Sequence, residues 1–232
     1  MGEYNKNMRI KVNINIKVGR LVKYFVISDF FLLAGWGLID PVFSVFIIQR
    51  VVGGTLMTIG IAAAIYWIIR SVAQIPIAKY LDSTPGERDD FMALVGGLML
   101  VGVSAIAMCW VTRVWELYVI HAVQAIAFAL YYASWPTIYS RHLDKDAISL
   151  DWSLDSSVSG IGAGIAGFLG GVSAGTLGYD VVFVAAGIMA FISAFVLIAV
   201  PDLILPKPTT AARAAVSAAE TAEERKPGGT VA

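Results

Sequence analysis

The chain has a single cysteine and little charge. Cys109 alone excludes an intrachain disulfide and a cysteine-based zinc site. Charged residues make up 15% of the 232 residues, against roughly a quarter in soluble domains. The formal net charge is zero, so nucleic acid is not an expected partner. Enzyme signatures are missing too: no GxSxG elbow, no HExxH, no phosphate loop and no GxGxxG preceded by a strand. Neither an enzymatic activity nor a cofactor is therefore expected. The run Arg141-His142-Leu143-Asp144-Lys145-Asp146 holds metal-ligating residue types. Its interleaved Lys and Arg favour a solvated loop or an ion-pair network, and no metal site is expected.

What is abundant is apolar sequence, at 58%. It gathers in six runs: Tyr24–Ile48, Leu56–Lys79, Phe91–Val111, Val114–Ile138, Asp155–Gly175 and Asp180–Val200. Each is on the order of 20 residues, the length a helix needs to cross ~30 Å of hydrocarbon. The expected fold is an all-α membrane protein of six transmembrane helices. Residues 1–23 read as a basic cytoplasmic arm, 24–201 as the transmembrane domain, and 202–232 as a disordered cytoplasmic tail. The 22 glycines suit close helix packing in lipid. Span one is too long for a signal-peptide core and lacks a small-residue cleavage site, so it is expected to stay as an anchor.

Basic residues set the expected orientation. Fourteen Lys and Arg lie on one side: six between Lys6 and Lys23, then Lys79, Arg88, Arg141, Lys145, Lys207, Arg213, Arg225 and Lys226. Only Arg50 and Arg113 lie on the other. The positive-inside rule puts both termini in the cytoplasm, with the plasma (inner) membrane as the expected location. Trp110 and Trp115 flank the outer turn between spans three and four, where interfacial aromatics belong. Residues Arg9 to Val18 alternate strictly in polarity, a strand pattern. With nothing to pair with, that segment is expected to be a mobile surface arm.

Ionisable groups in hydrocarbon are costly and usually face a bundle interior or a wet cavity. Span one carries Asp29 and Asp40, eleven residues apart and within about 20° of each other around a helix. Pro41 follows, and Gly35-Trp36-Gly37 precedes it, so this span reads as a loosened, kinked helix. It either lines a substrate site or uses its carboxylates to tie helices together. Span two carries Arg70, with Tyr66 four residues before and Gln74 four after. Arg70 stays charged; it either pairs with Asp29 or serves an anionic substrate or a proton-coupled carboxylate. Span four presents Tyr118, His121, Gln124, Phe128, Tyr132 and Trp135 on one broad face, with Pro136 expected to end the helix. His121 is level with Asp40, which makes it a candidate for proton relay beside the plainer role of a hydrogen-bonded histidine. Span five has Gly160/Gly164, Gly167/Gly171 and Gly171/Gly175 at four-residue spacing, a helix-packing signal.

The loop after span two, Ile77 to Arg88, resembles the signature between the second and third helices of the major facilitator superfamily. Asp82, Gly86 and Arg88 match it; Pro76 replaces the leading glycine, and Glu87, Asp89 and Asp90 interrupt the basic run. Gly162 to Gly171 is similar to the antiporter signature of the fifth helix, with Ala166-Gly167 where that signature has Gly-Pro. The six spans look like one half of a usual twelve-span member, and resemble the half-sized relatives of this family in Trp135, Ser140 to Lys145 and Asp151-Trp152-Ser153-Leu154. The resemblance implies a small-molecule transporter whose helices one, two, four and five line a midplane cavity. It implies that Asp82, Gly86 and Arg88 form a conformational latch.

The expected function is secondary transport by a homodimer in the lipid bilayer, with proton coupling a further expectation and no particular substrate indicated. Asp29, Asp40, Arg70, Gln74, His121, Gln124 and Tyr132 are the candidate substrate or coupling residues. Two alternatives stand beside it: a half-subunit pairing with a different six-span partner, and a non-transporting membrane scaffold or regulator.

Overall fold

In the computed structural model, residues 19–84, 86–143 and 145–200 are described. The alternating segment Arg9–Val18 and the tail from residue 202 lie outside them. Six helices follow one another: α1 (Arg20–Arg50), α2 (Leu56–Ser83), α3 (Arg88–Ala107), α4 (Val114–Arg141), α5 (Ile148–Leu177) and α6 (Tyr179–Ile198). A single 3₁₀ turn, Met108–Trp110, extends α3. All six are long and apolar enough to cross a membrane. Among the described residues there is no strand, only one isolated bridge between Val52 and Arg113.

Local chemistry explains the helix ends. Thr55 and Thr58 form a reciprocal capping box at the start of α2. Glu116 reaches back to accept from the backbone N–H groups of Thr112 at 2.8 Å and Arg113 at 3.0 Å, closing the start of α4. Gly178, at φ 92°, makes the abrupt α5–α6 turn that a residue with a Cβ resists.

Two expectations about helix ends are corrected. Pro136 does not end span four; α4 runs on to Arg141. Pro41 and Pro76 sit inside α1 and α2 in the same way. Span five begins at Ile148, seven residues before Asp155. Asp151-Trp152-Ser153-Leu154 is therefore helix rather than loop. Proline constrains the turn before it without stopping a helix whose neighbours can satisfy the freed carbonyl. The polar start of α5 hides a helix from a reading based on apolar runs.

α1 packs on α5 and α6, and α4 packs on α2 and α3; α3 and α6 close the far side. Contacts at both ends fix the alternation of direction. Arg50 meets Asp180 and Val52 meets Thr112 at one end, while Arg141 meets Asp90 at the other. Two apolar clusters fill the interior. One is built around Phe25, Leu98, Phe128, Trp135 and Tyr139, the other around Phe46, Ile47, Leu117 and Phe183. Lipid offers little hydrophobic drive between helices, so shape and hydrogen bonding carry the packing. Backbone approach through small residues is visible where Gly102 and Gly187 face each other across α3 and α6.

Candidate functional site

α1 is the axis of the site. Its Asp29 is 4% exposed and accepts hydrogen bonds from the Tyr131 hydroxyl of α4 and, at 3.1 Å, from the Ser159 hydroxyl of α5. One carboxylate thus ties three helices. The Arg70–Asp29 pair, one of the two readings of Arg70, is not formed: none of the ion pairs among the described residues joins them. Arg70 instead lies in an aromatic box. Its guanidinium carbon is 4.1 Å from the centre of the Trp67 ring and 4.6 Å from that of Tyr132, with Tyr66 at 5.6 Å. Ring faces attract the cation, but they accept no conventional hydrogen bond, and the buried Nε has no partner.

Asp40 is exposed and stands at the join of two cavities. On one side is a small pocket of about 50 Å³, shared with His121, Gln124, Phe43, Phe183 and Trp36. Asp40 and His121 thus line one pocket. His121 is buried, stacks on Phe43 with centroids 5.0 Å apart, and has Nδ1 3.2 Å from the Leu117 carbonyl. On the other side is a recess of about 430 Å³ between α1 and α5, lined by Asp29, Asp40, Asp155, Ser159, Trp36 and Trp152 among others. Gln124 is buried, Gln74 is half-buried on α2, and Tyr132 is exposed.

Asp155 and Ser159 are not among the expected site residues, because apolarity alone starts span five at Asp155. A signal was present. Asp151, Asp155 and Ser159 recur every fourth residue, and Gly162, Ala166 and Gly170 continue the same buried face of α5. Tyr131 was passed over in favour of its neighbour Tyr132, although only Tyr131 points at Asp29.

The α5 glycines divide by face. Gly162 and Gly170, outside the expected packing set, press on Phe30 and on the Leu38 backbone of α1. Of the expected packing set, only Gly167 would bring an added Cβ near another helix, 3.5 Å from the Gly37 carbonyl; a Cβ at Gly160, Gly164 or Gly171 would meet nothing. At the end that holds the α2–α3 turn, Asp82 is exposed in the last turn of α2, Gly86 turns the chain at φ 111°, and Arg88 opens α3. Nearby, Arg141 pairs with buried Asp90 at 2.7 Å and with Glu87 at 3.7 Å, and His142 lies 3.6 Å from Glu87. The ion-pair network expected around Arg141 is thus formed. No group of His, Cys, Asp or Glu among the described residues is placed to hold a metal ion.

No curated protein matches the chain closely enough to be compared with it. Residues 25–227 match the sequence pattern described as the Major Facilitator Superfamily. That stretch takes in nearly all of α1 and the whole of α2 to α6. Six long apolar helices with α1 at the centre fit a half-sized relative. The chain belongs to the major facilitator superfamily, a family of membrane transporters.

Proposed function

We propose that the protein is a secondary transporter that works as a homodimer, with the substrate path at the junction of the two copies. The observation that carries this reading is the recess between α1 and α5. It holds three carboxylates in a chain that has little charge to spend on the membrane. Polar groups in hydrocarbon are costly unless they serve a cavity or a pathway.

The dimer is supported by which faces are left uncovered. In α2 and α5 only 11% and 22% of the most apolar stretch is buried, against 44–50% in the other four helices. The uncovered faces carry half-buried Arg70 and the open glycines Gly160, Gly164 and Gly171. A second copy related by an axis along the membrane normal would cover them and bring the two recesses, each with Asp40 at its rim, to one junction. Both termini are assigned to the cytoplasm by the basic residues.

Asp82 sits at the C-terminal end of α2, where a carboxylate faces the unfavourable end of the helix dipole. It would gain from the N-terminus of a partner helix. The first turn of α5 is Ile148–Asp151, so a latch would meet that turn of the partner copy.

The experiment is solute uptake by proteoliposomes under an imposed proton gradient, with native mass spectrometry of the same preparation. Asp40→Asn is expected to abolish coupled uptake while the protein stays folded and dimeric. Arg70→Lys is expected to impair uptake because the planar fork is lost. Equal uptake by the parent and both variants overturns the reading, and a monomer in a crowded nanodisc overturns the homodimer.

A further inference from the structure

The α1–α5 recess has a chemistry of its own. Its lining includes three acids, Asp29, Asp40 and Asp155, and no Lys, Arg or His. The three acids are not equivalent. Asp29 is already satisfied by Tyr131 and Ser159, and Asp40 is exposed at the rim. Asp155 is 7% exposed, and its Oδ1 is buried with no hydrogen-bond partner. A buried carboxylate oxygen without a donor is the costly case of an unmade hydrogen bond. Asp155 as a residue lines a cavity of about 430 Å³, within the size range of small-molecule sites.

Trp36 and Trp152 form part of the same wall. Both rings have packed neighbours. Trp36 sits edge-on to Phe128 at 5.0 Å and Trp152 edge-on to Tyr139 at 5.0 Å. The acids are too dispersed to converge on one metal ion. An anion would face three carboxylates with no counter-charge. A protonated amine on an aromatic or apolar body meets every feature: N–H donors and positive charge for Asp155, ring faces for the cation and the body.

Resting on the transporter reading, we infer that the recess is a binding site for an organic ammonium ion, with Asp155 as its anchoring carboxylate and Trp36 and Trp152 as its walls. The substrate class is thereby cationic, and Asp40 at the rim adds to the attraction for the incoming charge.

The test is calorimetric titration of the full chain, purified in mild detergent, with phenethylammonium and with the similarly sized anion 3-phenylpropionate. The parent binds the amine saturably and the anion not at all. Asp155→Asn weakens amine binding about tenfold or more, the loss of a charge-assisted hydrogen bond, and Asp155→Glu restores most of it. Three results overturn the inference: no saturable amine binding by the parent, equal amine binding by Asp155→Asn, or anion binding as tight as that of the amine. Should Asp155→Asn fail to fold, carbodiimide labelling of Asp155 in the parent replaces it. Protection by the amine supports the site, and labelling unchanged by saturating amine overturns it. Uptake by proteoliposomes separates the two readings: amine binding without uptake removes transport and leaves the site, whereas uptake of other solutes without amine binding removes the site and leaves transport.

Discussion

α1 is flanked by α6 on one side and α5 on the other, and the two seams are built on different terms. Against α6, Gly35 comes to rest on the Ala186 backbone, Phe46 meets Phe183 edge-on, and the buried hydroxyls of Ser28 and Ser193 bond each other at 2.8 Å. Every polar atom named there has a partner on the facing helix. Against α5, the backbones press together just as closely where Gly170 meets Leu38 and Gly37 meets Ala163. Toward the start of α5 the same seam opens into the recess, and Asp155 keeps an oxygen without a donor. Close packing and polar satisfaction coincide in the first seam and part company in the second. A seam that is tight at one end and unsatisfied at the other is better explained by a ligand or a moving contact than by poor packing, since the residues for a tight seam are present in the same helix.

The sharpest way to break this comparison is one substitution at two positions of α5. A Cβ at Gly170 collides with the Leu38 backbone, which cannot swing aside, whereas one at Gly164 meets nothing. Gly170→Ala is expected to destabilise the detergent-solubilised protein by about 3 kcal/mol. In the dissociated protomer, Gly164→Ala should be neutral or stabilising by roughly 0.5 kcal/mol, the helix preference for alanine. Thermal unfolding of both variants checks this, and equal losses would mean that α5 has no inner and outer face.

Next comes the tie that closes the recess floor. Tyr131→Phe removes a donor from buried Asp29, at an expected cost of about 2 kcal/mol. Tyr132→Phe lacks that contact and should cost less; its ring still faces Arg70. The reverse ranking in chemical unfolding would place the structural load on the surface tyrosine. On the α6 side, Ser28→Ala or Ser193→Ala alone should cost about 1 kcal/mol by leaving a buried hydroxyl short of its partner. The double variant should cost less than the sum of the two. Strict additivity in a double-mutant cycle would deny the pair seen at that seam. The smallest effect belongs to the outer rim, where Arg50 and Asp180 are both about half exposed (46% and 49%). Arg50→Ala should shift stability by no more than about 0.5 kcal/mol. A larger loss in the same unfolding assay would make the α1–α6 rim a clamp.

Much of the fold was legible from residue order. The apolar runs set the number of helices and their approximate spans, and the loop from Asp82 to Arg88 pointed to the family. What went wrong has a common cause. Pro136 and Asp155 were read as boundaries because local propensity and apolarity mark both as breaks. Helix neighbours overrode the first, and the polar start of α5 is helical despite the second. The candidate site was half legible. Asp40 and His121 line one pocket, in keeping with the count along their helices. Whether Arg70 meets Asp29 stayed open, because depth along a helix can be counted but the rotation of one helix against another cannot.

Composition alone, then, settled that this chain belongs in a bilayer: lipid tolerates backbone only where a segment satisfies its own hydrogen bonds, and six apolar runs of that length have one way to do so. The positions of the charged residues along those runs followed from counting. Which charges meet was decided by tertiary structure alone. Tyr131 rather than Tyr132 reaches Asp29, aromatic rings rather than a carboxylate receive Arg70, and Asp155 faces a cavity with one oxygen unclaimed. Hydrogen bonds have a range of about 3 Å, and the helix rotations that bring groups within it are set by the packing of whole side-chain surfaces, which no single run encodes.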